Sequence, residues 1–393
     1  MRKPTIALVY FNAGGGHRAA ATALQQQIEA QGRPWDVRLV NLFEVLDPKR
    51  RFQRITGAQP EDIYNKRLAK GWTLGLAQEL KLLQRLIRLC HRPFVELLRQ
   101  HWLQMEPELV VSLVPNFNRS MCEALNETLP GVPYLTVMTD LADLPPNFWI
   151  EPRLARQHLV CGTPHALAQA RAAGCAPERL TLASGMLLRP SFYGPRLSEP
   201  DRADASAALG LDPGKPTGIV MFGGHGSMKM LNIAKALEDQ QLILVCGHNE
   251  KLRQRLLEQG SKATHAVLGF TSEVAQYMQV ADYFIGKPGP GSLSEALHLG
   301  LPVVTTCGTG TLPQERYNAQ WVRELGVGLV LPSMRGIAAA VDRMLARLPE
   351  FQAAVGQMDN QGLFEVPELF ARLMAEAGEA RGAPLLPFSA SLA

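Results

Sequence analysis

The residues best suited to chemistry lie between Ile285 and Leu301, in the sequence IGKPGPGSLSEALHLGL. Gly289 and Gly291 allow the backbone to turn sharply and to approach a ligand closely. We expect Ser292 to be the N-cap of the helix that follows, whose unpaired N–H groups and positive dipole end would bind an anion, usually a phosphate. Glu295 fits either a capping box with Ser292 or a carboxylate that binds the hydroxyls of a ribose.

Two further residues follow predicted strands and fit the role of a general base. His17 comes after the glycine loop NAGGGH at the start of a predicted helix, where a positively charged imidazolium is disfavoured. Asp140 follows the apolar strand 132–139, and the carboxyl ends of parallel strands are where ligand-facing groups lie. Each also has a structural interpretation, as a capping histidine and as a turn aspartate, so the sequence leaves both open.

Length and composition indicate a globular protein of two domains. The chain has 393 residues, of which 46% are hydrophobic and 19% are charged. Its six cysteines show neither CxxC pairs nor metal-finger spacing, so we expect reduced thiols in a cytoplasmic enzyme. Since no apolar run approaches the roughly 18 residues of a membrane span, we expect at most peripheral association with the inner face of the cell membrane.

Positive charge is concentrated in the segment 49–105. From Lys49 to Arg99 it has twelve Lys and Arg residues against four acidic ones, although the whole chain carries only +4. Lys81, Arg85 and Arg88 recur at helical spacing, with leucines on the rest of the helix. This pattern is typical either of a core helix with a solvated face or, with Trp72 nearby, of a surface that binds anionic lipid headgroups.

Strands and helices alternate along the chain, which predicts an α/β protein with two doubly wound, parallel-stranded domains. The proline-rich stretch near residue 200 suggests the boundary. We predict an N-terminal domain at 1–195, a linker at 196–215 and a C-terminal domain at 216–360. A last helix at 361–378 can pack back on the N-terminal domain, and a flexible tail follows at 379–393.

One alternative comes from the first glycine loop. Gly14, Gly16 and Ala19 fit a loose dinucleotide fingerprint, so a Rossmann dehydrogenase has to be considered. The next predicted strand ends on Asn41, where that fingerprint requires an acidic residue for the ribose. The sequence therefore disfavours a dehydrogenase.

Three motifs together carry a family resemblance: AGGGHRAAATAL near the start, VCGHNEKL with GFTSEVAQYM in the middle, and KPGPGSLSEALHLGLPVV followed by LPQERYN. They resemble the monogalactosyldiacylglycerol synthases and the processive diacylglycerol glycosyltransferases of family 28. They are similar, more distantly, to the peptidoglycan N-acetylglucosaminyltransferase. The resemblance implies a GT-B fold with two Rossmann-like domains facing a central cleft, a UDP-sugar donor, inversion at the anomeric carbon and no metal or other cofactor. The sequence agrees in lacking a D-x-D motif.

Residue roles follow from the resemblance by position. Phe270 and Thr271 would bind the uracil, Glu295 the ribose, and His17 or Asp140 would be the base. The diphosphate would be bound by the two C-terminal loops, at Gly223, Gly224, Gly226, Ser227, Lys287, Gly289, Pro290, Gly291 and Ser292. The sugar hydroxyls would be bound by Gln314, Glu315 and Asn318. The acceptor and the membrane would contact Gly15, Gly16, Lys81, Arg85, Arg88 and Trp72.

The expected function is therefore transfer of a hexose, galactose or glucose, to a diacylglycerol-like lipid at an anionic membrane surface. The sequence departs from the family pattern at Arg316 and Tyr317, which leaves the sugar open. Alternatives are N-acetylglucosaminyl transfer to a lipid-linked intermediate, a UDP-sugar epimerase and a non-catalytic nucleotide-binding module. A nucleic-acid binder would use the same basic segment, but that segment has no recognition motif, so we expect no nucleic acid partner.

Overall fold

The computed structural model describes residues 2–12, 15–50, 53–54, 57, 76–144, 146–151, 154 and 156–382. Trp72 and Gly14 lie outside these residues, and so does the chain after Gly382. Within them the chain forms two six-stranded sheets, each entirely parallel. The prediction of two doubly wound α/β domains is confirmed.

The first sheet has the strand order β2-β1-β3-β4-β5-β6. Its strands are rich in Val, Leu and Ile and are mostly buried, as expected when helices cover both faces of a parallel sheet. The strands are β1 (Thr5–Tyr10), β2 (Asp36–Asn41), β3 (Leu109–Ser112), β4 (Tyr134–Val137), β5 (Gln157–Cys161) and β6 (Leu180–Leu182). The helices are α1 (Gly16–Ala30), α2 (Leu42–Leu46), α3 (Leu76–Leu89), α4 (His91–Met105), α5 (Asn118–Thr128) and α6 (Pro164–Ala172).

The second sheet has the order β12-β11-β10-β7-β8-β9. Its strands are β7 (Thr217–Met221), β8 (Gln241–Val245), β9 (His265–Leu268), β10 (Tyr283–Gly286), β11 (Val303–Thr306) and β12 (Gly328–Leu331). The helices from the connection onward are α7 (Glu199–Ala208), α8 (Lys229–Ala236), α9 (Glu250–Gln259), α10 (Val274–Val280), α11 (Pro290–His298), α12 (Arg316–Glu324), α13 (Ile337–Ala346), α14 (Leu348–Val355) and α15 (Gly362–Gly382).

Two features of the connections differ from the sequence prediction. Helix α7 lies inside the segment 196–215 that we predicted as linker, where Ser198 caps its start by accepting a hydrogen bond from the Asp201 N–H. Helix α15 continues to Gly382, beyond the predicted start of the tail at 379. Its Leu363, Val366 and Phe370 belong to the core of the first sheet, so the chain crosses back to the N-terminal half.

The strand order of each sheet determines where a ligand can bind. In the first sheet the order reverses between β1 and β3, and in the second between β7 and β10. Open parallel sheets bind ligands at such points, beyond the carboxyl ends of the strands. The loop after β1 leads to His17, and the loops after β7 and β10 begin at Phe222 and Lys287.

The two halves also contact each other directly. Leu141, which follows β4, belongs to the hydrophobic core of the second sheet, which also contains Leu293 of α11. The rings of His165 on α6 and Tyr317 on α12 stack with centroids 4.0 Å apart and an interplanar angle of 14°. These contacts bring the carboxyl edges of the two sheets to face each other.

Candidate functional site

The loop between β10 and α11 presents two free N–H groups at the start of a helix. The N-cap is Gly289 and the first helical residue is Pro290, so our prediction of Ser292 as N-cap is wrong. Proline is favoured at the first helical position because its φ suits the helix and it has no N–H to leave unpaired. Within the described part of the chain, the N–H groups of Gly291 and Ser292 have no acceptor, which is the arrangement that binds an anion.

Lys287 adds a positive charge beside this helix start. Its Nζ lies 3.2 Å from Oε1 of the buried Glu315, while the lysine side chain remains 40% exposed. A Cβ added at Gly289 would lie 3.3 Å from Lys287 Cε, and one added at Gly223 would lie 3.8 Å from it. The lysine therefore lies between the two glycine loops, where a diphosphate would need a counter-charge.

The second glycine loop, 223–227, is shaped by its close approach to the loop after β8. Gly223 and Gly226 have φ of +75° and +57°, and a Cβ at Gly226 would collide with the Cys246 carbonyl oxygen. The Gly224 carbonyl accepts a hydrogen bond of 2.9 Å from the His248 N–H. Ser227 Oγ accepts a hydrogen bond of 3.4 Å from the N–H of Lys229, the first residue of α8.

Glu295 makes an ion pair that the sequence did not reveal. Arg189, in the connection after β6, donates to Glu295 Oε1 at 3.4 Å and to the Ser272 carbonyl at 3.5 Å. Glu295 is largely buried, and burial raises the pKa of its carboxyl to about 7 despite the guanidinium. The predicted capping box with Ser292 does not form, because the carboxylate points to Arg189 and not to a backbone N–H.

The predicted uracil site lies in the exposed loop after β9. Phe270 is 62% exposed and stacks on the ring of His248, with centroids 3.9 Å apart. Thr271 Oγ1 accepts a hydrogen bond from the Glu273 N–H. One face of the Phe270 ring is thus open to stack on the uracil, as predicted for the donor, and the other face is covered by His248.

The three residues predicted to bind sugar hydroxyls lie at different depths. Gln314 and Glu315 belong to a turn at Pro313–Glu315 that precedes α12. Asn318 is completely buried, and its Nδ2 donates to the Pro288 carbonyl at 2.7 Å. Through this bond Asn318 holds the loop between β10 and α11, while its Oδ1 has no hydrogen-bond partner among the described residues, so a role toward the sugar stays a prediction.

On the opposite side of the cleft, His17 lies at the start of α1. Gly15, at φ +81°, is the N-cap, and Gly16 is the first helical residue. The His17 Nδ1 and the Thr139 Oγ1 share a hydrogen bond of 3.0 Å. Burial lowers the pKa of His17 to about 4, although a hydrogen bond with the Leu113 backbone raises it, so the ring is neutral at pH 7.

Asp140 lies next to Thr139 and forms one cluster with His17 and Trp149. The Trp149 indole N–H donates to Asp140 Oδ2 at 2.9 Å, and the Trp149 and His17 rings have centroids 6.1 Å apart. Burial raises the pKa of the Asp140 carboxyl to about 7, and the Trp149 hydrogen bond offsets part of that rise. A carboxyl whose pKa is near the working pH is suited to general base catalysis.

Electrostatic contacts connect the two sides of the cleft. The charge of Glu315 raises the pKa of Asp140 and that of Lys287 lowers it. The candidate base on the first sheet therefore lies within electrostatic range of the anion-binding loops on the second. Among the residues that the structure describes, no group of three His, Cys, Asp or Glu side chains is arranged to bind a metal ion.

Helix α3 carries the basic stripe and an exposed apolar stripe. Lys81, Arg85 and Arg88 are exposed as predicted. The exposed leucines are Leu82 at 56%, Leu83 at 43%, Leu86 at 49% and Leu89 at 80%. Of the side chains described on α3, Ile87 alone is buried, so the helix is attached to the protein by a narrow face. No helix in the described ranges is long and apolar enough to cross a membrane.

Sequence reasoning missed Thr139, Trp149 and Arg189 as members of the site. Trp149 follows Asp140 in the loop LADLPPNFW, so its aromatic side chain near a candidate base was a usable signal. Arg189 gave no such signal, because it pairs with a residue 106 positions away.

Comparisons with known proteins find similar glycosyltransferases. Residues 219–361 match the glycosyltransferase family 28 C-terminal domain. A probable monogalactosyldiacylglycerol synthase 2 from rice, Oryza sativa subsp. japonica, is 28% identical over 255 residues, covering 61% of this chain and 52% of the relative. A processive diacylglycerol beta-glucosyltransferase from Bacillus pumilus is 25% identical over 363 residues and covers 86% of each chain. The chain spans about half the length of the plant relative.

Solved structures share the fold. MurG from Acinetobacter baumannii has a TM-score of 0.59 at 17% identity, covering 94% of this chain and 99% of its own. Phytolacca americana UGT2, complexed with UDP-2fluoro-glucose and pterostilbene, has a TM-score of 0.61 at 14% identity, covering 95% and 100%. The predicted GT-B fold is thereby confirmed. The residues that match the family 28 C-terminal domain run from within β7 to beyond β12 and include the two glycine loops and Glu295, so the similarity covers the candidate anion-binding loops.

Proposed function

We propose that this protein is an inverting glycosyltransferase that transfers a hexose from a UDP-sugar to the hydroxyl of a diacylglycerol-like lipid. The observation that carries the proposal is the pairing of sites across the cleft. Asp140, with its raised pKa, lies opposite Lys287 and the free N–H groups of Gly291 and Ser292. One side can remove a proton while the other stabilises a leaving diphosphate.

The donor site is supported by three features of the C-terminal half. The start of α11 and Lys287 would bind the diphosphate, since peptide dipoles and a cationic side chain can replace a metal ion there. Glu295 would accept hydrogen bonds from the ribose hydroxyls, and the open face of Phe270 would stack on the uracil. Phytolacca americana UGT2, which has a similar fold, was solved in complex with UDP-2fluoro-glucose.

The reaction would be a single displacement. Asp140 takes the proton of the lipid hydroxyl, the hydroxyl oxygen forms a bond to the anomeric carbon, and the bond from that carbon to the UDP oxygen breaks. UDP leaves with the electron pair toward α11. His17, with a pKa near 4, is a weak base at pH 7, so we assign it to orienting the acceptor together with Thr139.

The proposal that the acceptor is a lipid rests on the exposed leucines of α3 and on the names of the relatives. A surface with an apolar stripe beside a basic one can insert leucines between lipids while its cations contact anionic headgroups. The relatives carry names that specify diacylglycerol products. We therefore propose that the protein associates peripherally with the inner face of the cell membrane.

The test is to incubate the protein with UDP-galactose, UDP-glucose or UDP-N-acetylglucosamine and a lipid extract, and to identify products by mass spectrometry. We expect a mass increase of one hexose on diacylglycerol and UDP release that depends on lipid. N-acetylglucosaminyl products would shift the proposal to the peptidoglycan-type activity. UDP-sugar turnover without lipid would indicate an epimerase, and UDP binding without turnover a binding module.

Charge neutralisation on α3 tests the membrane surface. We expect the double variant Lys81→Gln/Arg85→Gln to bind phosphatidylglycerol vesicles about 25-fold more weakly, since each basic residue near an anionic surface contributes on the order of 1 kcal/mol. Added salt should weaken wild-type binding, because exposed charges are screened. Sedimentation with vesicles measures both effects.

The matched control is Lys251→Gln/Arg255→Gln on α9, where both residues are also exposed. This pair should leave vesicle binding unchanged. Equal losses for the two pairs would mean that net charge matters and that α3 is not the membrane surface.

A further inference from the structure

Helix α3 contacts the loop after β4 through Leu80, which packs against the cluster that contains Phe148 and Trp149, and through the hydrogen bonds of Gln84. Gln84 Nε2 donates hydrogen bonds to Asn116 Oδ1 at 3.0 Å and to the Pro146 carbonyl at 3.1 Å. Asn116 follows β3 and Pro146 lies in the loop after β4, so both acceptors are at the carboxyl edge of the sheet. Gln84 is partly buried, whereas the neighbouring Leu83 and Arg85 are exposed.

From these acceptors a continuous set of hydrogen bonds leads to the candidate base. The Asn116 N–H donates to the Phe148 carbonyl at 2.6 Å. The next residue, Trp149, donates its backbone N–H to Asp143 Oδ1 at 2.7 Å and its indole N–H to Asp140 Oδ2 at 2.9 Å. The position of the Asp140 carboxyl thus depends on a loop that Gln84 holds at two points.

The backbone at Asn116 is suited to this role. Its φ of +67° lies in the left-handed region, which asparagine tolerates better than most residues. That conformation turns the chain so that the Asn116 side chain accepts from α3 while its backbone N–H donates to Phe148. Asn116 therefore links Gln84 of α3 to the loop that carries Trp149.

The attachment of α3 to the rest of the protein is weak enough to respond to a surface. Among the described side chains of α3, four leucines are exposed, Ile87 is buried and Leu80 is partly buried against the cluster of Phe148 and Trp149, so few apolar contacts hold the helix in place. A segment with few buried contacts opens at low free-energy cost. A lipid surface that binds the ordered, docked helix better than the loosened one will shift the population toward the docked state.

We propose that Gln84 is a positioning residue that couples docking of α3 on an anionic lipid surface to the placement of Asp140, so that turnover rises on the membrane. The inference rests on the proposed function for its catalytic readout. The surface binds the leucine and basic stripes of α3, the two Gln84 hydrogen bonds order the loop 146–149, and Trp149 then holds the carboxyl in position.

The first test compares Gln84→Leu with wild type on vesicles of phosphatidylglycerol, phosphatidylcholine and diacylglycerol, and in dodecyl maltoside micelles containing diacylglycerol. We expect the variant to bind vesicles normally and to keep its donor KM, while its kcat on vesicles falls about tenfold, toward the micelle value, for two lost hydrogen bonds. Gln100→Leu, an exposed glutamine on α4, is the matched control and should retain the wild-type kcat on vesicles.

Asn116→Gly tests the same link from its other end. Glycine accepts the positive φ, so the variant removes the acceptor of Gln84 while the backbone hydrogen bond to Phe148 can remain. We expect a similar loss of kcat on vesicles, and we expect the double variant to be no worse than either single one, because coupled residues are non-additive. An additive double variant, or equal losses on vesicles and micelles, would overturn the coupling.

A readout without catalysis separates the inference from the proposed function. Hydrogen exchange measured without substrate should show the amides of Asn116 and Trp149 becoming protected when wild type binds phosphatidylglycerol vesicles, and remaining unprotected in Gln84→Leu. Protection in both proteins, or in neither, would refute the coupling even if the protein is a glycosyltransferase. Protection in wild type alone would support it even if no transferase product is found.

Discussion

Replacing Asp140 by Asn will lower kcat by about 10²- to 10⁴-fold, the range expected for loss of a general base, with little change in the donor KM. Asparagine keeps an oxygen that can accept from the Trp149 indole, so the cluster should persist. The raised pKa of Asp140, about 7, also predicts a pH profile. Below that pKa the carboxyl is protonated and cannot accept the proton, so wild-type kcat should fall as the pH drops. The kcat of the variant should not show this fall.

Glu151→Gln provides the matched control. Burial raises the pKa of Glu151 to about 7 as well, but its carboxylate accepts from Asn147 Nδ2 and not from Trp149. This variant should keep the wild-type kcat and the wild-type fall of kcat at low pH. If Asp140→Asn retained near wild-type kcat while His17→Ala lost it, the base would be His17 and our assignment would be reversed.

Glu295→Ala is expected to raise the KM for UDP-sugar by about 10- to 100-fold, the effect of losing hydrogen bonds to a charged group. The kcat at saturating donor should change far less, because the ribose contacts form before the reaction and persist through it. Steady-state kinetics with varied UDP-sugar measures the change. Glu258→Ala, an exposed glutamate on α9, is the control and should leave KM unaltered.

The ion pair with Arg189 adds a pH dependence to the prediction for Glu295. Its guanidinium lowers the pKa of Glu295, which burial has raised to about 7. In Arg189→Ala that pKa should rise further, so less of the carboxylate is ionised at neutral pH and donor KM should increase most below pH 7. A KM for Glu295→Ala equal to that of wild type would remove the ribose role from Glu295.

The sequence predicted the features that local patterns determine. Apolar runs ended by glycine loops located β7 and β10, and parallel topology then placed Lys287 and Gly223 at one edge of the sheet. The start of α11 was misplaced because a serine preference was weighed above the proline at position 290, although proline at the first helical residue needs no side-chain cap.

Contacts between distant segments were beyond the reach of pattern reasoning. The Arg189–Glu295 and Gln84–Asn116 pairs depend on how two separate elements pack, which no local periodicity encodes. The leucines of α3 fit helical spacing, which predicts a helix but does not determine which of its faces the protein covers. Asn318 was assigned by position in a motif, and its complete burial became visible only with the fold.

The central claim is that the C-terminal half binds UDP through peptide N–H groups and Lys287, without a divalent cation. Calorimetric titration of UDP in the presence of EDTA tests it most directly, with Lys287→Met alongside. We predict the same affinity with and without EDTA, and binding about 10-fold or more weaker in the variant, for loss of a charge-assisted contact. Binding that disappears in EDTA and returns with manganese, or no binding of UDP in either condition, would contradict the account.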